Sequence, residues 1–234
     1  MEILYIILFE LKEIHKKVNQ ILGKTIYQPV RRYRNSKLIN KDFSIISNNC
    51  WGGSIYQKLN LPYTSPTIGL YFYADDYIKF LSNLDYYLSL TPIIIQKKDS
   101  KYKEELDKLK VYRYFPIGKL DDIEIIFVHY RNDEDAIAKW EKRKQRLNID
   151  NLIVKFNDQN NFQEKHLVEF EQLPYRYKIC FTAKKYSFGK SLVVKSRHNR
   201  EYIKSDMRCF KKPINMINFI NKMVYKVGEY NEKN

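Results

Sequence analysis

Residues Phe43-Ser-Ile-Ile-Ser-Asn-Asn-Cys-Trp-Gly-Gly53 decide the fold class. Phe43–Ser47 is short, apolar and rich in isoleucine, which predicts a buried strand. Two glycines follow a polar turn, and the residues Gly53–Leu59 have a helical pattern. A strand that turns directly into a helix is the repeating unit of an α/β protein, so this stretch predicts that class.

The same alternation continues along the chain. Short runs rich in Ile, Val, Tyr and Phe predict strands at Phe43–Ser47, Thr67–Phe72, Pro92–Gln96, Val111–Phe115, Ile123–His129, Leu152–Phe156, Tyr177–Thr182 and Leu192–Lys195. Longer patterns predict helices at Gly53–Leu59, Asp75–Leu90, Lys101–Lys110, Asp133–Leu147, Gln163–Gln172 and Ile214–Val227. Because Ile123–Val128 and Leu152–Val154 are mostly apolar, we expect strands covered on both faces. We therefore predict an α/β fold of three layers, with a mostly parallel or mixed sheet, helices on both of its faces and an N-terminal helix.

Length and composition predict a single globular unit. The chain has 234 residues, without an internal repeat or a linker-like segment. We expect residues 1–41 to form an amphipathic helix, ending near Leu22, and a basic segment, and residues 42–234 to form one α/β domain. The apolar run Ile3–Phe9 is shorter than the roughly 20 residues that span a bilayer. Acidic residues flank it, which does not match a secretory signal.

The charge balance favours anionic partners. Lys and Arg number 42 against 27 Asp and Glu, a net charge of +15. Such a surplus attracts nucleic acid, an anionic membrane surface or phosphorylated substrates. No nucleic-acid-binding motif is present, so nucleic acid is not an expected partner. Three cysteines without metal-ligand spacing suit a reducing cytoplasm, where the N-terminal residues could bind the inner face of the plasma membrane.

Three reactive residues follow predicted strands. Cys50 comes after Phe43–Ser47, His129 ends the run that begins at Ile123, and Asp158 follows Leu152–Phe156. If these strands are parallel, a thiol, an imidazole and a carboxylate lie on one edge of the sheet. Cys50 would then be a nucleophile, His129 its base and Asp158 the orienting group. The alternative is that Cys50 is a buried structural cysteine and His129 a core residue.

Neighbouring residues are expected to bind the substrate. The cationic ones would contact phosphates, the tryptophans would stack on a sugar ring, and the glycine turn would cradle a phosphate or merely turn the chain. The expected set is Asn48, Asn49, Trp51, Gly52, Gly53, Trp140, Arg143, Arg146, Lys155, Asn157 and Gln159.

The helix Asp133–Leu147 carries a second motif. Asp133-Glu134-Asp135 has the D-x-D pattern that holds a divalent metal in many sugar-nucleotide transferases. Acidic residues in a first helical turn, after a capping Asn132, also explain it. Since no histidine has a companion at metal-ligand spacing, we expect neither a metal nor a cofactor.

Several blocks carry a family likeness. They are Phe43–Gly53, Leu61–Phe72, Phe127–Tyr130, Lys139–Arg143 and Val154–Gln159. In these blocks the chain resembles the bacterial family called domain of unknown function 1919, whose members are usually labelled exopolysaccharide or capsular-polysaccharide biosynthesis proteins. The resemblance implies an α/β fold and a role in surface-glycan assembly, without assigning catalytic residues. A weaker likeness is to families described as papain-like cysteine peptidases.

Charge, candidate site and resemblance together predict a transferase of surface-polysaccharide biosynthesis that acts on an activated, phosphorylated sugar or glycolipid. Glycosyl transfer and acyl transfer both remain open. Two alternatives are a papain-like Cys–His hydrolase and a non-catalytic scaffold that organises capsule enzymes at the membrane surface.

Overall fold

The computed structural model describes residues 23–108, 115–186, 192–193, 201–206 and 213–225. In these ranges the strands are β1 (Ser44–Ser47), β2 (Ile93–Ile95), β3 (Ile117–Leu120), β4 (Ile123–Ile126), β5 (Leu152–Asn157), β6 (Tyr177–Thr182) and β7 (Leu192–Val193). The α-helices are α1 (Gln28–Ser36), α2 (Trp51–Lys58), α3 (Ala74–Ser82), α4 (Leu84–Ser89), α5 (Lys103–Lys108), α6 (Asp133–Lys144), α7 (Glu164–Gln172) and α8 (Pro213–Tyr225). A π-helical turn, Gly23–Tyr27, leads into α1, and a 3-10 turn, Lys97–Asp99, precedes α5.

The larger sheet is parallel, with strand order β1-β5-β6-β7. Alternate side chains of its strands enter two separate cores. One core contains Ile46, Val154, Phe156 and Cys180 from the sheet. Side chains of α3, α6 and α7, such as Phe80, Trp140 and Phe170, pack against them. The other takes Ile45, Ile153, Ile179 and Phe181 and is closed by α2 and α8. Helices therefore cover both faces of the sheet, and the predicted α/β class is confirmed.

The smaller sheet is antiparallel, with order β2-β3-β4. β4, the strand before His129, therefore does not belong to the parallel sheet, so the condition under which Cys50, His129 and Asp158 would share one sheet edge is not met. Asp121 takes a left-handed conformation, φ 55°, in a two-residue turn between β3 and β4. Such a turn joins only antiparallel neighbours, so β4 pairs with β3.

A short segment joins the two sheets. Tyr71 pairs with Ile126 of β4 through two backbone hydrogen bonds of 3.0 and 2.9 Å. The next residue, Phe72, donates its N–H to the carbonyl of Asn48, just beyond β1, at 3.0 Å. The end of β4 is thus held beside the end of β1. The predicted strand Thr67–Phe72 is reduced to this bridge, because Gly69 at φ +79° ends a turn within it.

Other predicted boundaries differ from those of the structure. The predicted helix Asp75–Leu90 is two helices, because Asn83 leaves the helical region at φ −139° and ψ 52°. The basic segment after residue 30 is largely helical, since Pro29 occupies a first-turn position in α1. The predicted N-terminal helix up to Leu22 and residues 111–114 of a predicted strand lie outside the described residues. Across the described ranges, no helix has both the length and the apolar character needed to cross a membrane.

Candidate functional site

A cavity of about 530 Å³ lies where α2, α6 and the loop after β4 meet. Its polar lining consists of Cys50, Ser54, Gln57, His129, Lys139 and Arg143. The other lining residues are three larger side chains and two glycines: Tyr63, Ile68, Tyr130, Gly53 and Gly69. This volume lies within the range of roughly 300–1,000 Å³ that is typical of small-molecule sites.

The two glycines allow the walls of the cavity to approach each other. A Cβ atom on Gly53 would lie 3.1 Å from Cγ2 of Ile68, so a larger residue there would require Ile68 to shift by a few tenths of an ångström. Gly69 has φ +79°, and a Cβ there would lie 3.3 Å from the Cβ of His129. The Gly69 carbonyl accepts the backbone N–H of His129 at 3.0 Å, which fixes the position of the histidine.

Arg143 is held in a fixed orientation on the cavity wall. Its Nη1 donates to the carbonyl of Ile68 at 3.0 Å and to the hydroxyl of Tyr130 at 2.8 Å. Its guanidinium carbon lies 5.1 Å from the ring centroid of Tyr63 and 5.8 Å from that of Tyr130. Such contacts between a cation and an aromatic face are attractive. The hydrogen bonds described for Arg143 use only Nη1, which leaves Nη2 and Nε for a ligand.

Tyr130 supports Arg143 from the buried side. Its hydroxyl donates to the carbonyl of Ile68. Burial raises the pKa of Tyr130 to about 12, although the neighbouring Arg143 acts in the opposite direction. The phenol therefore remains protonated and acts as a donor at neutral pH.

Lys139 is the second cation of the lining. Its Nζ lies 2.7 Å from the Asp135 carboxylate and 5.4 Å from the ring centroid of Tyr130. Asp135 is not among the lining residues. The ionised side chains that line this cavity, within the described residues, are therefore cationic.

The D-x-D pattern forms the first turn of α6. The side-chain oxygen of Asn132 accepts the N–H of Asp135 at 2.9 Å, which is helix capping. Among the residues that the structure describes, no group of three or more His, Cys, Asp or Glu is placed to hold a metal ion.

Cys50 lies at the N-terminus of α2 and lines the cavity. Its sulfur is 3.8 Å from the carbonyl oxygen of Leu70. Burial, with a further contribution from the negative charge of Asp206, raises the pKa of the thiol to about 11, while Lys155 acts in the opposite direction. The thiol is therefore protonated at neutral pH.

Of the three residues expected to form a catalytic group, the structure brings two together. Cys50 and His129 line the same cavity, because the bridge at Tyr71 holds β4 beside β1. The His129 side chain is solvent-exposed. The shared location comes from the junction between the two sheets and not from parallel strands.

Asp158 lies elsewhere. It is buried, and its two carboxylate oxygens accept the backbone N–H groups of Ala183 at 2.6 Å and Ile203 at 2.8 Å. Burial raises the pKa of this carboxyl group. Asp158 lines a second cavity, of about 810 Å³, that does not include Cys50 or His129. In this structure the carboxylate ties two loops together rather than orienting His129.

Five of the residues expected to bind substrate belong to one polar network or its edge. Lys155 Nζ donates to the side-chain oxygens of Asn48 at 3.1 Å and Asn49 at 3.0 Å, and it forms a buried ion pair with Asp206. The side chains of Asn157 and Gln159 also bond within this network. These donors and acceptors are largely used by one another, and Lys155 is fully buried, so a phosphate has no access to it.

The other four residues expected to bind substrate lie outside the cavity lining. Trp51 is buried with its ring centroid 5.6 Å from that of Phe181. Trp140 has no exposed surface and donates its Nε1–H to the carbonyl of Leu90 at 3.3 Å. Neither indole presents a face to a sugar. Gly52 is buried against β1, and Arg146 lies exposed beyond the end of α6, outside the cavity lining.

Sequence reasoning did not identify Tyr63, Tyr130 and Asp206 as parts of the site region. Tyr130 is adjacent to His129, and Tyr63 lies in one of the blocks that carry the family likeness. Both tyrosines could therefore have been predicted from the sequence as residues near the site. Asp206 falls in an irregular basic segment whose place in the fold no pattern indicates.

Fold and site together define an α/β protein with a cationic cavity beside the first helix of its parallel sheet. The chain belongs to the family described as "Domain of unknown function (DUF1919)", whose model matches residues 21–231. The family inferred from sequence resemblance is confirmed. The chain is also 33% identical over 176 residues to an uncharacterized protein of Haemophilus influenzae, a match that covers 75% of this chain and 79% of that protein.

Proposed function

We propose that this protein is a transferase that binds the phosphate of an activated sugar or glycolipid in the 530 Å³ cavity. One observation carries the proposal: among the described residues, the ionised side chains of the lining are the cations Lys139 and Arg143. Lys139 is already paired with Asp135, whereas Arg143 forms no ion pair within the described residues, and a cation without a competing carboxylate favours a ligand with negative charge. A planar guanidinium with free N–H groups suits a phosphate in particular.

The raised pKa of the Cys50 thiol favours direct transfer over a covalent enzyme intermediate. A thiol with a pKa near 11 is a poor nucleophile at neutral pH, because the thiolate is the attacking species. In direct transfer, an acceptor hydroxyl forms a bond to the transferred group while the bond from that group to the phosphate breaks. His129 would accept the hydroxyl proton, and Arg143 with Lys139 would stabilise the charge on the departing phosphate.

Binding of a phosphate compound tests the proposal first. Calorimetric titration with inorganic pyrophosphate, and then with nucleoside diphosphate sugars, should show binding to the wild-type chain. Arg143→Met should weaken it about 10- to 100-fold, since hydrogen bonds to charged groups are worth about 1.5–3 kcal/mol. Arg146→Met removes the same charge from the same helical region but outside the cavity, so it should change the affinity little. Equal losses in both variants would show a general charge effect and contradict the site.

A Cys–His hydrolase and a direct transferase differ in the expected effect of substituting Cys50. The hydrolase is favoured by the shared cavity of Cys50 and His129. Covalent catalysis requires that Cys50→Ser abolish turnover. Direct transfer requires that this variant keep most of the activity while His129→Ala loses it by about 100-fold or more, the usual contribution of an acid–base group.

The biological setting rests on the family resemblance given by the sequence blocks. We propose that the reaction belongs to surface-polysaccharide assembly. A chromosomal Arg143→Met variant, with Arg146→Met as the matched strain, should then lower the amount of surface polysaccharide. A strain that makes normal amounts of an Arg143→Met protein unable to bind phosphate, and still makes normal polysaccharide, would show that the protein does not act in polysaccharide assembly. The proposal of phosphate binding would not be affected. Normal polysaccharide from a folded variant that lacks both Cys50 and His129 would instead support a scaffold.

A further inference from the structure

One stretch of the chain is rich in cations and lacks acids. Between Gly23 and Lys41 there are six Lys or Arg residues and no Asp or Glu. Most of this stretch is helical, since it comprises the π-helical turn and α1. Its concentrated positive charge produces a local field that attracts an anionic surface.

The same stretch exposes an apolar stripe. Ile26, Val30 and Tyr33 are spaced i, i+4 and i+7, so they lie on one face of the helix. They are 51%, 39% and 61% exposed, and Ile39 beyond the helix is 67% exposed. Of the ten large apolar side chains exposed within the described residues, five lie between residues 26 and 39. An exposed cluster of this kind marks a contact surface.

The opposite side of α1 holds it to the protein. Asn35 donates its side-chain N–H to the carbonyl of Leu59 at 2.9 Å, and Leu38 is buried in the core beside α2 and α8. The backbone N–H of Ile39 bonds to the side chain of Asn221 in α8 at 3.0 Å. No residue of α1 itself is buried. The apolar stripe is therefore turned away from the body that anchors the helix.

An outward apolar stripe among cations is the pattern of a helix that lies in a membrane interface. Nucleic acid would be attracted by the cations but would gain little from exposed Ile26, Val30 and Tyr33. We propose that α1 and the turn before it dock this protein on an anionic lipid surface. This inference goes beyond the proposed function and does not depend on it.

Sedimentation of the full-length protein with vesicles tests the docking without any substrate. The protein should bind vesicles of phosphatidylcholine that contain phosphatidylserine, and should bind pure phosphatidylcholine much less. Added salt should weaken binding, because screening reduces the attraction of surface charges. Arg32→Glu with Lys37→Glu should abolish the preference for phosphatidylserine. Val30→Ser with Tyr33→Ser should weaken binding about tenfold, through loss of buried apolar area.

Matched variants separate this surface from general properties of the chain. Ile93→Ser and Ile149→Ser remove apolar side chains that are exposed elsewhere on the chain, by 71% and 52%. Lys98→Glu with Lys119→Glu makes the same change of charge away from α1, at two exposed positions. These controls should bind vesicles as the wild type does.

Specific results would overturn the proposal. Equal losses in the control variants would show that overall charge, not α1, causes binding. The wild-type protein could fail to bind vesicles while Val30→Ser with Tyr33→Ser lowers the melting temperature. That result would show that other residues of the chain cover the stripe. Tighter binding to an oligonucleotide than to vesicles, unaffected by the serine variants, would identify nucleic acid as the partner. The serine variants should still bind pyrophosphate, so failure here and failure of the proposed function remain distinguishable.

Discussion

The ammonium group of Lys155 forms an ion pair with the carboxylate of Asp206, and both side chains are almost completely buried. The same carboxylate oxygen accepts N–H groups from Asn49 at 3.0 Å and Asn157 at 2.7 Å. Residues 201–206 are thereby held over the C-terminal ends of β1 and β5. In open α/β sheets that edge is the usual place for a ligand, and here a buried polar network occupies it.

Breaking this pair should destabilise the fold strongly. Asp206→Ala leaves the Lys155 ammonium buried without its counter-charge, so we expect a loss of about 3–5 kcal/mol in the free energy of unfolding. Denaturant-induced unfolding measures it. The double variant Lys155→Met with Asp206→Leu should lose less than Asp206→Ala alone, because no charge is left unpaired. A single variant that loses less than about 1 kcal/mol would show that the pair is not isolated from solvent.

Alkylation of Cys50 should be slow near neutral pH. Burial raises its thiol pKa to about 11, so the reactive thiolate forms in quantity only as the pH approaches that value. The rate with iodoacetamide should therefore rise steadily with pH, and at pH 7 it should lie below the rate in the urea-unfolded chain. Mass spectrometry of the peptide that contains Cys50 gives both rates from one protein. Faster reaction in the folded chain at pH 7 would restore Cys50 as a candidate nucleophile.

Gly118 in β3 should tolerate no larger residue. A Cβ atom there would lie 2.6 Å from Cε2 of Phe127 and 2.9 Å from the Cβ of Pro92. Gly118→Ala should cost about 1–3 kcal/mol of stability through overpacking, measured by thermal or denaturant unfolding. Gly52→Ala is the control, since its nearest contact is 3.3 Å, to Ile45 Cγ2. A Gly118→Ala variant as stable as the wild type would mean that Phe127 can move aside.

The parallel strands could be predicted from the sequence because their signal is local. All six residues of β5 and all four of β1 are buried, and each strand contains adjacent apolar residues, Leu152–Val154 in β5 and Ile45–Ile46 in β1. β3 could not be found so easily, since Gly118 and Lys119 interrupt its apolar pattern. Without β3, the turn at Asp121 could not reveal that β4 belongs to a separate sheet.

The site was predictable to a smaller extent. Cys50, Gly53, His129 and Arg143 line one cavity. Each could be predicted as a site residue because it is close in sequence to a strand or helix that the sequence indicates. Trp140 shares the apolar face of its helix with Ala136, and this pattern predicts burial better than it predicts a sugar contact. Pairing of Lys155 with Asp206 spans 51 residues, and no local pattern indicates such a contact.

Tyr130 should act as a positioning residue for Arg143. Tyr130→Phe removes the hydroxyl that accepts from Arg143 Nη1, while the Ile68 carbonyl keeps its 3.0 Å bond from the same atom. The guanidinium loses one of its two anchors, so affinity for pyrophosphate should fall about three- to tenfold, with a stability loss of about 1 kcal/mol. Tyr63→Phe is the matched control. It loses only a hydroxyl that accepts from Gln57 at 2.8 Å, and it keeps the ring that faces Arg143, so its affinity should stay unchanged. Calorimetry on both variants, at a temperature where both are folded, separates the roles. No affinity loss for Tyr130→Phe would mean that the Ile68 carbonyl and the aromatic rings position Arg143 without the hydroxyl, and equal losses in both variants would mean that the effect is not specific to the Tyr130 hydroxyl.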